Sequence, residues 1–156
     1  MADHQLVQAP AIPFSLSHLI AVNARYKVLI CLGNGCRCAI VPTGAARHLR
    51  DKHHEPIELR KQVERYLEQC QFHEYTYATV ILPADGLVAQ PIIPIVNGYQ
   101  CKHCTHKSRN RREIREHANK VHDKKKVGDE KLFDLVRLQS WFWKGKERYW
   151  IVDDPA

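Results

Sequence analysis

The chain has 156 residues, is 44% hydrophobic and 26% charged, and carries a formal charge of +7. That composition excludes a disordered chain, and no apolar run approaches the roughly 20 residues of a membrane-crossing helix, so no membrane partner is expected. The opening MADHQLVQAP lacks the basic flank and continuous apolar stretch of a secretory signal, so an intracellular, reducing setting is expected, where six cysteines point to metal rather than disulfides.

In chain order, residues 1–25 form a polar arm with Pro10 and Pro13, and Ser17 to Ala24 is predicted as a short helix. Tyr26 to Ile30 alternates and is predicted as a strand. It leads into a first Cys2His2-like motif over 26–54, Cys31-x4-Cys36-x11-His48-x4-His53. The knuckle Leu32-Gly33-Asn34-Gly35 is long but flexible enough to close around a metal. Pro42 suits the first turn of a helix that carries His48 and His53 on one side, and Leu29, Ile40 and Leu49 supply a small core. Two alternatives stay open: His54 as the fourth ligand, because a spacing of five is also allowed, and Cys38 in place of Cys31 or Cys36. Otherwise Cys38 and Cys70 read as small buried hydrophobes.

Residues 55–96 join this motif to the next. From Ile57 to Cys70, Leu59, Val63, Tyr66, Leu67 and Cys70 recur with helical spacing and predict an amphipathic helix. The following AQPIIPIV cannot be a central strand, since Pro91 and Pro94 donate no hydrogen bond, and it is predicted as an extended linker laid against something apolar. Asn97-Gly98 is predicted as a turn into the second motif.

That motif, over 97–123, is Cys101-x2-Cys104-x12-His117-x4-His122, the ligand arithmetic of a Cys2His2 zinc finger. Two thiolates on a tight knuckle and two imidazoles a helical turn apart can converge on one tetrahedral Zn²⁺, so two Zn²⁺ per chain are expected. Four protein ligands close such a site to solvent, and no nucleophile, base or phosphate loop emerges elsewhere. The expectation is no enzyme, no catalytic residue and no small-molecule substrate. Tyr99 and Ile114 stand where such fingers place core residues, but Ser108 occupies the place of the central aromatic. The finger's own core is thin, so zinc must supply folding energy on the order of 10 kcal/mol. His103 and His106 read as solvated side chains.

The charge is uneven. Between Cys101 and Lys126 ten Lys or Arg face three acids, while the rest of the chain balances fourteen against fourteen. A localised basic patch is the footprint of a nucleic-acid partner or an import signal, its plainer alternative being a solvated helix face. Counting back from the first zinc histidine puts Asn110, Glu113 and Glu116 where base edges would be read, and two acids aimed at a polyanion are an unusual arrangement. Arg109, Arg111, Arg112 and Arg115 suit phosphates better, as do Lys120, Lys124, Lys125 and Lys126. In the first motif the reading positions hold Val41, Gly44 and Arg47, and 47 residues separate His53 from Cys101, so tandem readout is not expected. Any DNA or RNA binding is therefore phosphate-led, weakly specific and salt-sensitive.

The C-terminal element, 124–156, is predicted as a helix from Leu132 to Gln139 and a hairpin around Lys144-Gly145-Lys146. Its aromatics Trp141, Phe142, Trp143, Tyr149 and Trp150 read as a core rather than a stacking surface for bases.

With both motifs and the tail in view, the chain resembles the fungal OrsD-like family, named after protein D of the orsellinic acid gene cluster. The matching segments are ICLGNGCRCAIVPTGAARHLRDKHH, NGYQCKHCTHKSRNRREIREHANKVH and LVRLQSWFWKGKERYWIV, over roughly residues 15 to 153. The first departs by its longer knuckle, a two-residue gap being commoner in that family. The resemblance implies zinc binding and a nuclear, nucleic-acid-related setting, and carries over no catalytic residue. The expected fold is α+β: two small Cys2His2-type zinc modules joined by an amphipathic helix and a Pro-rich linker, with an aromatic C-terminal α/β element. The expected function is a non-enzymatic nuclear module touching nucleic acid through its basic second finger. Its rival is a zinc-stabilised protein–protein interaction module whose basic stretch is an import signal.

Overall fold

The computed structural model describes residues 10–70 and 74–154, so the first nine residues of the expected arm lie outside it. The fold is α+β and forms two compact units, one ending at Ile81 and one beginning at Leu82, with one Cys/His set in each. No helix among the described residues is long and apolar enough to cross a membrane.

The first unit opens with a 3-10 turn, Phe14–Leu16, and a three-stranded antiparallel sheet of β1 (Ile20–Asn23), β2 (Val28–Cys31) and β3 (Cys38–Ile40) in that order. The helix predicted over Ser17 to Ala24 does not form. Asn23 Oδ1 accepts a bond from the Tyr26 amide at 3.1 Å, an Asx turn that folds β1 back onto β2 with Ile20 opposite Cys31. A second 3-10 turn, Pro42–Gly44, starts α1 (Ala45–His53), as Pro42 suggests. α1 ends where His54 adopts a left-handed conformation and caps the Arg50 and Leu49 carbonyls. α2 (Ile57–Cys70) has the predicted range, and buries Val63, Tyr66 and Cys70 against Leu29 and Leu49. Tyr75 locks the sheet from the side. Its hydroxyl accepts from the Leu29 amide at 3.0 Å and donates to the Ile40 carbonyl at 2.6 Å.

In the second unit, β4 (Leu87–Val88), β5 (Val96–Cys101) and β6 (Lys107–Ser108) precede α3 (Arg111–His122) and α4 (Asp129–Leu132). β7 (Phe133–Ser140) and β8 (Tyr149–Asp153) complete it. The sheet runs β4-β8-β7-β5-β6, with only β4 and β8 parallel. Two expectations fail here for one reason. Asn97 and Gly98 are not a turn but lie inside β5, opposite Arg137 and Val136. Leu132 to Gln139 is not a helix but the last helical residue followed by β7. The apolar spacing from Leu132 to Leu138 fits a helix, yet β7 gains ladder partners on both sides as the central strand, and tertiary pairing overrides local periodicity. Gly98 is required by that pairing, since a methyl group there would overlap the Leu138 side chain.

The hairpin joining β7 to β8 turns at Lys144 and Gly145, both at positive φ, as predicted. Trp141 and Trp150 are each 1% exposed with ring centroids 4.9 Å apart, so both are core, while Trp143 stays half-buried. The Pro-rich stretch lies outside the strands from Pro91 to Pro94, with Ile93 buried. One fully buried side chain holds it. Gln139 accepts from the Gln90 amide at 2.8 Å and donates to the carbonyls of Gln90 at 2.9 Å and Ile93 at 2.7 Å. Gln139→Leu fills the same space but strands these backbone groups, so we expect a loss of about 2–4 kcal/mol in urea denaturation and faster proteolysis between residues 89 and 95.

Candidate metal centres

In the first unit the side chains of Cys31, Cys36, His48 and His53 offer four ligand atoms within 4.8 Å of one another. Cys31 stands at the end of β2, Cys36 just before β3, and both histidines on α1, so sheet, knuckle and helix each contribute. His53 Nε2 lies 3.2 Å from both Cys31 Sγ and Cys36 Sγ, and His48 Nε2 lies 3.6 Å from Cys36 Sγ. The knuckle's first glycine has a specific purpose. A Cβ on Gly33 would overlap the His53 ring, and its amide reaches Cys31 Sγ at 3.4 Å. His54 serves as the helix cap and Cys38 pairs across the sheet with Cys31, so neither joins the set.

In the second unit Cys101, Cys104, His117 and His122 form an equivalent set, again within 4.8 Å. Cys104 Sγ is 3.1 Å from His117 Nε2, and the amides of His103 and His106 reach Cys101 Sγ and Cys104 Sγ at 3.4 Å each. His122 Nε2 is buried with no hydrogen-bond partner, a lone pair that a metal ion would satisfy. His106 is only partly solvated. Its ring stacks on His117 with centroids 4.1 Å apart and 15° between planes, while His103 is exposed beside His122.

Without metal, burial favours the neutral forms of Cys31, Cys101 and His117. Burial pushes the Cys31 thiol up to about 12, opposed by the Gly33 amide and reinforced by Cys36 and Cys38. Burial also raises Cys101 and lowers His117, the latter helped by its histidine neighbours. Metal entry must then expel the thiol protons, while His117 is already in its ligand form.

The second motif borrows its core. Ser108, in the place of the missing aromatic, is buried. It donates to Glu113 Oε2 and accepts from the Asn110 amide, both at 3.0 Å, and so helps cap α3 instead of filling space. The space is filled from downstream. Leu132 and Phe133 pack with Cys101, Ile114 and Ala118, and Phe133 meets Tyr99 edge-on with centroids 4.8 Å apart.

The basic residues divide into two groups. Asn110 is the α3 N-cap, accepting from the Glu113 amide at 3.2 Å. Arg111 and Arg115 both pair with Asp129, Arg112 pairs with Glu116 at 3.1 Å, and Arg109 lies over the Trp143 ring. Lys120, Lys124, Lys125 and Lys126 form no ion pair among the described residues. Sequence reading missed the roles of Gly33 and Phe133, with only the glycine-rich knuckle giving any signal for the first, and it read Trp143 as core where the structure leaves it half-buried.

The family described as orsellinic acid/F9775 biosynthesis cluster protein D matches residues 18–123, which hold all eight ligand residues. The chain belongs to that family. No curated protein and no solved structure matches it. The OrsD match ends before β7, so the strand that completes the second motif's core lies outside the matched segment.

Two outcomes follow from the geometry. Gly33→Ala should expel the His53 ring and cost the first site its metal while the second keeps its own, read as one equivalent fewer by elemental analysis. Phe133→Ala should destabilise the second unit by about 3–5 kcal/mol and release metal from the second site at lower chelator concentration than wild type, with the first site unchanged.

Proposed function

We propose that both sites hold structural Zn²⁺ and that the chain is a non-enzymatic nuclear module that binds DNA or RNA through phosphates, with weak sequence specificity. A tetrahedron with arms of about 2.0–2.3 Å has edges of about 3.3–3.8 Å, and the sulfur–nitrogen separations of 3.1–3.6 Å lie close to that range. Two thiols and two imidazoles suit zinc over harder cations, and four protein donors leave no open position for hydrolysis. The metal's contribution is to fix the knuckle to the helix.

The observation that carries the nucleic-acid reading is the lysine cluster of Lys120, Lys124, Lys125 and Lys126 at the C-terminal end of α3. These cations form no ion pair among the described residues, whereas the arginines nearer the N-terminus are held by Asp129 and Glu116. Asn110 and Glu113 are occupied in capping α3, which speaks for phosphate contact over base reading. The internal arginine pairs also favour a second reading, a protein-interaction module whose lysine run is an import signal.

The deciding measurement is affinity for random duplex and single-stranded DNA across a salt series, using zinc-loaded protein. Replacing Lys124, Lys125 and Lys126 with Ala should weaken binding to all sequences alike and flatten the log–log salt slope by about 0.9 per lost duplex contact. No measurable affinity at low salt would leave the protein-interaction reading in its place.

A further inference from the structure

An open polar groove of about 970 Å³ runs along the second unit. One wall is the corner between β6 and α3, with Lys107, Arg109 and Arg111; the other is the approach to β8, with Glu147, Arg148 and Tyr149. Lys107 is paired with Asp85 at 3.0 Å and Arg111 with Asp129, so neither cation is fully available to a ligand. Arg109 forms no ion pair among the described residues. Its guanidinium stands 5.9 Å above the Trp143 ring.

The aromatics beside this groove differ from the rest of the tail. Trp141 and Trp150 are closed into the core, whereas Trp143 and Tyr149 are half-buried, with centroids 6.2 Å apart and planes tilted by 58°. Half-exposed rings next to a guanidinium and further cations are the parts that hold unstacked bases: rings and guanidinium planes take base faces while cations follow the phosphates. A duplex keeps its base faces stacked on one another and cannot offer them. Glu113 also lines the groove, and it and Glu147 offset much of the positive charge there. Discrimination at this place therefore rests on stacking rather than on net charge.

We propose that this groove binds a single-stranded segment of DNA or RNA, with bases stacked at Trp143 and Tyr149 and a phosphate held by Arg109. This rests on the nucleic-acid reading and names its site and strand state. Every base has an aromatic face, so such a groove is tolerant of sequence.

The test uses the full zinc-loaded chain with labelled dT and rU oligonucleotides of about ten nucleotides, a length within the range one groove spans, and a duplex of equal length. Single strands should bind more tightly than duplex. Trp143→Ala should weaken single-strand binding by about 5- to 150-fold and leave duplex binding unchanged, while Tyr149→Phe, which keeps the ring, should retain it. Intrinsic fluorescence decides independently of any damage by the alanine variant: oligonucleotide should quench the wild type, and the conservative Trp143→Phe should lose most of that quenching while still binding. Equal affinity for single strand and duplex, indifferent to Trp143→Ala and without quenching, would overturn the groove while leaving phosphate binding by the lysines intact. No binding of either form would overturn both.

Discussion

The second unit depends on β5 having a partner on each side. On one edge it pairs with β6 to make the hairpin that carries the knuckle; on the other it pairs with β7 along its whole length, from Val96 opposite Leu138 to Cys101 opposite Phe133. That register is what delivers Phe133 to the first cysteine. A Cys2His2 motif this poor in apolar residues cannot bury enough surface by itself, and a metal alone would leave Ile114 facing a void where Ser108 supplies no bulk. The sheet solves both problems at once. Gly98 is the cost of the solution, since the strand crosses Leu138 too closely for any side chain.

The two sites reach similar ligand sets by different routes. In the first unit the sheet is local and the core is its own, built from Leu29, Ile40, Leu49 and the face of α2. The longer knuckle works because Gly33 makes room for His53, and because its amide and the ring both face Cys31. In the second unit the knuckle is short and ordinary, and it is the core that must be supplied from elsewhere in sequence. Removing a glycine therefore threatens the first site, while removing a hydrophobe about thirty residues from the first ligand threatens the second.

What could be read from the sequence follows the range of the interactions. Ligand spacing is local, and both sets stand as the spacing implied. The repeat of Leu59, Val63, Tyr66 and Cys70 has one dominant period and only one face to bury, so α2 was legible to its ends. Residues 132 to 139 were not, because their apolar pattern suits either state and the choice is made by strands as distant in sequence as Val96 is from Leu138. Asn97-Gly98 misleads for the same reason: a strong turn dipeptide is overruled when a neighbouring strand needs a residue without a side chain. At Ser17 to Ala24 the decisive signal was present but small, a single Asn able to close an Asx turn.

Charge on α3 shows why a count of basic residues is a poor guide to a binding face. The sequence places ten cations against three acids in this segment, yet the fold brings Asp85, Asp129 and Asp134 to Lys107, to Arg111 with Arg115, and to Lys102. Apart from Glu116, which holds Arg112, the acids paired with its lysines and arginines come from outside the segment. Whatever stability these pairs add, they set where a polyanion would find unscreened charge. On α3 and the segment that follows it, that leaves the lysines at the helix end, where the helix dipole also favours cations. On the other side of the motif Arg109 has an aromatic ring in place of a carboxylate. The lysines that end α3 and the Arg109–Trp143 pair thus lie at different places on one unit.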